Sequence, residues 1–162
     1  MFGSFTESLI SPGPAADRLD RMGLYAFLIG DWEMEGVIHG AQGKHEIRGG
    51  EIHAAWVLEG RAIQDVWILP GAFYGSTLRV YDPGRDEWHI LWSDPLRQYY
   101  SRQMGRARGG EIVQEGANLE GQRTRWRFTK LTAESFHWIG EIAAPDGAWV
   151  VEADLFARRI SR

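Results

Sequence analysis

From Asp31 onward the sequence alternates between runs of period two and short turn-forming clusters, and this rhythm limits what the chain can fold into. The clusters are Gly40-Ala41-Gln42-Gly43, Glu59-Gly60, Pro70-Gly71, Asp82-Pro83-Gly84-Arg85, Asp94-Pro95, Gly109-Gly110, Glu120-Gly121 and Pro145-Asp146-Gly147. Such residues turn a chain because Gly reaches left-handed backbone, Pro fixes φ, and Asp bonds its own backbone. Between them, residues 31–39, 44–58, 60–69, 73–82, 86–94, 97–105, 110–118, 122–131, 134–143 and 148–159 read as strands. Strands joined by such short connections pair as antiparallel neighbours. Ten in succession, with no convincing helix between them, favour an all-β, up-and-down barrel, because closure removes unpaired edges.

Alternation assigns an inside and an outside. Trp32, Met34 and Ile38 share one face of the first strand. Trp88, Ile90, Trp92 and Asp94 share a face of the fifth; Thr124, Trp126 and Phe128 of the eighth; Phe136, Trp138, Gly140 and Ile142 of the ninth; Trp149, Val151, Ala153 and Leu155 of the last. The opposite faces are largely charged, so the aromatic sets are expected inside. Gly49-Gly50 reads as a bend or bulge in the long second strand. The third and fourth strands, 60–69 and 73–82, are ambiguous: Ile63, Asp65 and Trp67 compete with Gln64, Val66 and Ile68 for the interior.

The 162 residues suffice for one domain with a real core, and neither a repeat nor a composition shift marks a boundary. The expected organisation is a flexible arm over residues 1–15, rich in Ser, Gly and Pro, and a single barrel over 16–162. Leu19, Met22, Tyr25 and Ile29 recur at helical spacing behind Asp17, which predicts a short helix across one barrel end over roughly 17–29. Eight Trp demand somewhere to be buried. A net charge of −4 argues against a nucleic-acid footprint. The absence of Cys removes disulfides, thiolate metal sites and a Cys nucleophile, and fits a cytoplasmic protein. The N-terminus lacks the basic region and apolar core of a signal peptide, and no run approaches a membrane span, so neither targeting nor membrane insertion is expected.

Few residues announce chemistry. His39, His45, His53, His89 and His137 show no ligand spacing, so no metal is expected. Asp65 and Asp94 are the carboxylates on largely apolar strands; each is either paired to an Arg or a general acid or base with a raised pKa. Gln64 and Tyr100 join them as polar candidates, and Trp88, Trp92, Tyr100, Trp126 and Trp138 as the wall of an apolar ligand pocket. The interior rings could equally fill the barrel. Arg123, Arg125 and Arg127 form a basic row expected to face acidic neighbours outside.

Phe27-Leu28-Ile29-Gly30-Asp31-Trp32, the run from Gly60 to Trp67, the run from Tyr74 to Asp82, and Ser135-Phe136-His137-Trp138 resemble a family of small bacterial domains of unknown function with a lipocalin-like (calycin) barrel. The resemblance covers roughly residues 24–160 and implies a fold and no activity. It implies that Gly30 turns the chain into the first strand, that Trp32 plugs one barrel end, and that a late arginine, Arg158 or Arg159, stacks on it. The opening is also similar to that of nitrobindin-type haem barrels, which use a His near the start of the last strand. Residues 148–160 contain no His, so no haem and no other cofactor is expected.

These readings lead to a non-enzymatic barrel that binds a small apolar or aromatic molecule. The alternative is a small-molecule isomerase, cyclase or hydrolase working by acid–base chemistry in the cavity. Phe2, Phe5 and Leu9 in the arm, with outward Tyr99 and Phe156, suggest a homodimer.

Overall fold

A computed structural model describes residues 3–161. Ten antiparallel strands close into a barrel in the order β1-β10-β9-β8-β7-β6-β5-β4-β3-β2. They are β1 (Gly30–Gly40), β2 (Gly43–Val57), β3 (Ala62–Leu69), β4 (Phe73–Asp82), β5 (Glu87–Asp94), β6 (Tyr99–Arg108), β7 (Glu111–Asn118), β8 (Arg123–Thr129), β9 (Ser135–Ala143) and β10 (Trp149–Arg159). Each strand pairs with its sequence neighbours, and β1 against β10 completes the ring, with Trp32 opposite Arg159. The fold is the expected all-β, lipocalin-like one. Among the described residues no helix is long and apolar enough to cross a membrane.

The short helix sits earlier than expected. Helix α1 spans Phe5–Leu9 and is started by a capping box in which Ser4 and Glu7 satisfy each other's backbone amides. Over 17–29 there are instead two 3₁₀ turns, Ala16–Arg18 and Ala26–Leu28, with Gly23 between them. Glycine weakens a helix interior, and burial of Met22, Tyr25 and Leu28 is reached without continuous helix. The described part of the arm runs along the barrel: Ser11 N donates to Trp56 O, Leu58 N to Leu9 O, and Ala15 N to Gly60 O. Phe2 lies outside the described residues; Phe5 and Ile10 remain exposed.

The alternation on β3 resolves toward Ile63, Asp65, Trp67 and Leu69 inside. One inward assignment fails. A bulge between Val151 and Ala153 inserts an extra residue into β10, which inverts the parity of everything before it. Trp149 and Val151 therefore face out, and Arg123 and Arg125 lie over the Trp149 ring at 5.1 and 4.5 Å.

One end is sealed by the residues of the first-strand entry. Trp32 is fully buried and its indole N–H donates to Leu28 O at 2.9 Å. The Arg159 guanidinium lies 4.2 Å from the centre of the Trp32 ring and donates to Phe27 O, Ile29 O and Ala133 O. Arg158 points outward to Glu33. Gly30 has φ +119°, and a side chain there would place its Cβ 2.9 Å from Arg159 Nη1. The glycine thus serves both the turn and the arginine. Phe27, Phe128 and Phe136 pack edge to face around the plug.

Trp32→Ala should cost about 3–5 kcal/mol, a large share of a domain's stability. Arg159→Ala should cost about 1–3 kcal/mol, because it removes the cation–π contact and leaves carbonyls of the crossing segment unpartnered. Arg158→Ala should leave stability almost unchanged, since its ion pair is exposed. Chemical-denaturation midpoints of the three variants check the order; equal losses at Arg158 and Arg159 would contradict it.

Candidate ligand-binding site

Inside the barrel the side chains form three levels. Against the plug lie Tyr25, Tyr81, Trp88, Ile90 and Phe128. Trp88 meets Tyr25 and Tyr81 at ring separations of 5.1 and 5.5 Å. It belongs to this closed end and does not line the open cavity, contrary to its place among the ligand-binding candidates. The crossing segment brings Tyr25 beneath it and fills the space. Gly105 makes that possible, because a Cβ there would stand 2.1 Å from the Tyr25 hydroxyl.

The middle level is polar and buried. Tyr25 Oη donates to Gln114 Oε1 at 2.8 Å, and Gln103 Nε2 to Thr124 Oγ1 at 2.8 Å. Asp65 and Arg79, each 1% exposed, form a direct ion pair, and Asp65 Oδ1 also accepts from Thr77 N. The Arg79 guanidinium lies 5.2 Å from the Tyr25 ring centre. Burial pushes the Tyr25 phenol above its ordinary pKa, so it stays a neutral donor.

Above this floor is a cavity of about 300 Å³, open at the end opposite the plug. Its wall is Trp67, Phe73, Trp92, Trp126 and Trp138, with Thr77 and Arg79 on the side of the polar level. The rings meet edge to face or tilted, with Trp67–Trp138 at 5.2 Å, Trp126–Trp138 at 5.7 Å and Trp92–Trp126 at 6.3 Å. Trp67 and Trp126 are seated by β-alternation alone, whereas Trp138 also needs Gly140, where a Cβ would stand 2.8 Å from its ring. Trp92 also needs Gly75 on the neighbouring strand, where a Cβ would stand 2.5 Å from the ring. Ile38, His39, Arg97, Tyr99 and Glu152 form the rim.

Of the candidates named from sequence, Trp92, Trp126 and Trp138 meet in this cavity. Gln64 does not: it faces outward on β3 and donates to Ser76 Oγ at 3.0 Å. Tyr100 does not either, because Ser101, Gln103 and Gly105 take the inward positions of β6 and the Tyr100 hydroxyl bonds Gln98 outside. Tyr99, expected outside, stands at the rim and lies beneath Arg97. Asp94 is buried, but it accepts from Leu96 N, Arg97 N and Arg97 Nε and closes the β5–β6 turn. Both Asp65 and Asp94 are therefore paired to arginine. The outer row behaves as expected: Arg125 and Arg127 pair with Glu141, and Arg127 with Glu111.

Alternation does not single out Trp67, Phe73, Thr77, Arg79 or Glu152 among the cavity residues. The first four sit on the two ambiguous strands. Glu152 was placed outside by strict alternation, and the bulge turns it to the rim. Burial raises the Glu152 carboxyl above its ordinary pKa, while the Arg97 guanidinium draws it back part of the way. No ligating cluster accompanies it: among the described residues no group of three or more His, Cys, Asp or Glu is placed to hold a metal ion.

No protein-family model matches the chain, and no curated protein matches it. A solved structure with the same fold is the S-type phycobiliprotein lyase CPES from Guillardia theta. It is 15% identical and superposes with a TM-score of 0.60, over 90% of this chain and 98% of that one.

The raised Glu152 carboxyl makes a pH prediction. The unfolded chain ionises it near 4.5 while the folded chain still holds the proton, so folding stability falls as pH rises from there to the folded value. Glu152→Gln removes this loss. Thermal midpoints of the two proteins should diverge in favour of the variant as pH rises above about 4.5, then run parallel. A pH-independent difference, or divergence of opposite sign, would contradict the assignment.

Proposed function

We propose that this chain is a small-molecule-binding protein of the lipocalin-like type, taking a compact apolar or aromatic molecule through the Arg97–Glu152 rim. The observation that carries the reading is the half-open barrel: an aromatic cavity of about 300 Å³ above a barrel end sealed by Trp32 and Arg159. Its volume lies at the lower edge of the range for ligand sites, about 300–1,000 Å³. Its wall of four indoles and a phenyl ring supplies dispersion and edge-to-face contact for a flat guest. We assign the chain, by the sequence resemblance given above, to the bacterial calycin-type domains of unknown function.

Size narrows the guest. A cavity of about 150 Å³ lined by aliphatic and aromatic side chains holds benzene, so twice that space suits a two-ring aromatic or a medium alkyl chain. A tetrapyrrole would bind only by projecting through the rim. A second reading, a small-molecule enzyme using acid–base chemistry, is favoured by Glu152, a half-buried carboxyl with a raised pKa at the cavity rim. The fold neighbour is itself named a lyase. On that reading Glu152 replaces Asp65 and Asp94 as the candidate acid, since both of those already hold arginines.

Quenching or spectral shift of the intrinsic Trp emission measures binding directly, because four indoles, linked by ring contacts, wall the cavity. Two-ring aromatics and medium-chain alcohols are expected to saturate the change at micromolar concentration, and linear tetrapyrroles to bind more weakly. Absence of any change across lipids, polyketides and tetrapyrroles would overturn the proposal.

A further inference from the structure

Three residues bring arginine or carboxylate groups to the cavity surface: Arg79, Arg97 and Glu152. The Arg79 charge is matched by Asp65, and the Arg97 charge by Asp94, which accepts from its Nε at 3.0 Å. Glu152 has no such partner. Among the described residues it makes no hydrogen bond and no ion pair, and Arg97 acts on it only from beyond ion-pair distance. Two arginines against three carboxylates leave one negative charge, and it is that of Glu152 at the cavity mouth. Burial without a counterion is what raises this carboxyl above its ordinary pKa. A carboxylate half removed from water and left unpaired is costly, and a cation brought beside it offsets the cost.

The wall suits a cation for an independent reason. Aromatic faces carry negative potential and attract ammonium and guanidinium groups, indole most strongly. Four indoles and Phe73 line this cavity. They are turned against one another by 56–90°, so they present faces as well as edges to the space between them. The protein already uses this attraction at the mouth, where the Arg97 guanidinium lies 5.2 Å from the Phe73 ring centre and 5.8 Å from that of Tyr99. An anion meets the opposite conditions. It would sit against ring faces and beside Glu152, and the cation at the rim is already matched by Asp94. Trp92 Nε1 and Trp126 Nε1 are accessible and carry no hydrogen bond, so a hydroxyl or ether oxygen on the guest's ring system has donors to meet.

We propose that the cavity takes a protonated arylalkylamine of about two rings, with its ammonium group at the mouth beside Glu152 and its aromatic body among the indoles. This rests on the small-molecule-binding reading and adds to it the charge and chemical class of the guest. Glu152 is then the specificity-determining residue of the site, and the indoles supply affinity for the ring system.

Isothermal titration with three probes of one shape tests it at pH 8: 2-(2-naphthyl)ethylamine, 2-(2-naphthyl)ethanol and 2-naphthylacetate. They differ in the charge of the side-chain tip and share the ring system. The amine is expected to bind at least about tenfold more tightly than the alcohol, the gain from a partly desolvated ion pair and cation–π contact. The acetate is expected to bind more weakly than the alcohol. Glu152→Gln keeps the shape of the side chain and removes its charge. It should erase most of the amine's advantage over the alcohol and bring the acetate closer to both. If that variant does not fold, the ranking in the wild-type protein decides. An alcohol that binds as tightly as the amine, an acetate that binds best, or an amine advantage unchanged in Glu152→Gln overturns this inference and leaves the binding reading standing. Failure of all three probes to bind overturns both.

Discussion

The stacking of Arg159 on Trp32 is the contact on which the rest of this structure depends. It joins the last strand to the first at the point where the barrel must close, and it ties down the segment that crosses the barrel end through the carbonyls of Phe27 and Ile29. A fully buried indole contributes on the order of 4–6 kcal/mol from area alone. The arginine adds hydrogen bonds that no aliphatic residue could make. With that end filled, the crossing segment delivers Tyr25 to the barrel axis, and Tyr25 in turn anchors the Gln114, Gln103 and Thr124 level. The remaining volume lies at the other end.

The polar level is the unusual part of the interior. A buried ion pair such as Asp65–Arg79 seldom adds net stability over an apolar pair of the same size, because both charges lose their water. Its value lies in direction. It holds a guanidinium at the base of an otherwise aromatic cavity, with Nη1 taken by Asp65 and Nε left facing no partner.

The architecture was largely legible in the sequence, because turn chemistry and period-two patterning are local signals and ten of them in a row have few solutions. Trp32, Trp92, Trp126, Trp138 and the outer arginine row followed from alternation. What alternation cannot see is a change of register. The bulge at Val151–Ala153 carries no glycine or proline, so Trp149 was placed inside and Glu152 outside, the reverse of what β10 does. Gln64 and Tyr100 were misplaced for a different reason: β3 and β6 are amphipathic on both faces, and only pairing with β4 and β7 fixes which face turns inward. Trp88 was correctly inside, but depth along the barrel depends on the crossing segment, whose Tyr25 reaches it only through the gap at Gly105.

One barrel end is filled and the other holds an apolar cavity walled by tryptophan. Xenon enters dry apolar cavities and scatters strongly, so a crystal of the protein pressurised with xenon reports on it directly. Xenon is expected between Trp92, Trp126 and Trp138, with none beside Trp32 and Phe136. A barrel with those three indoles collapsed together, holding no xenon between them, would contradict it.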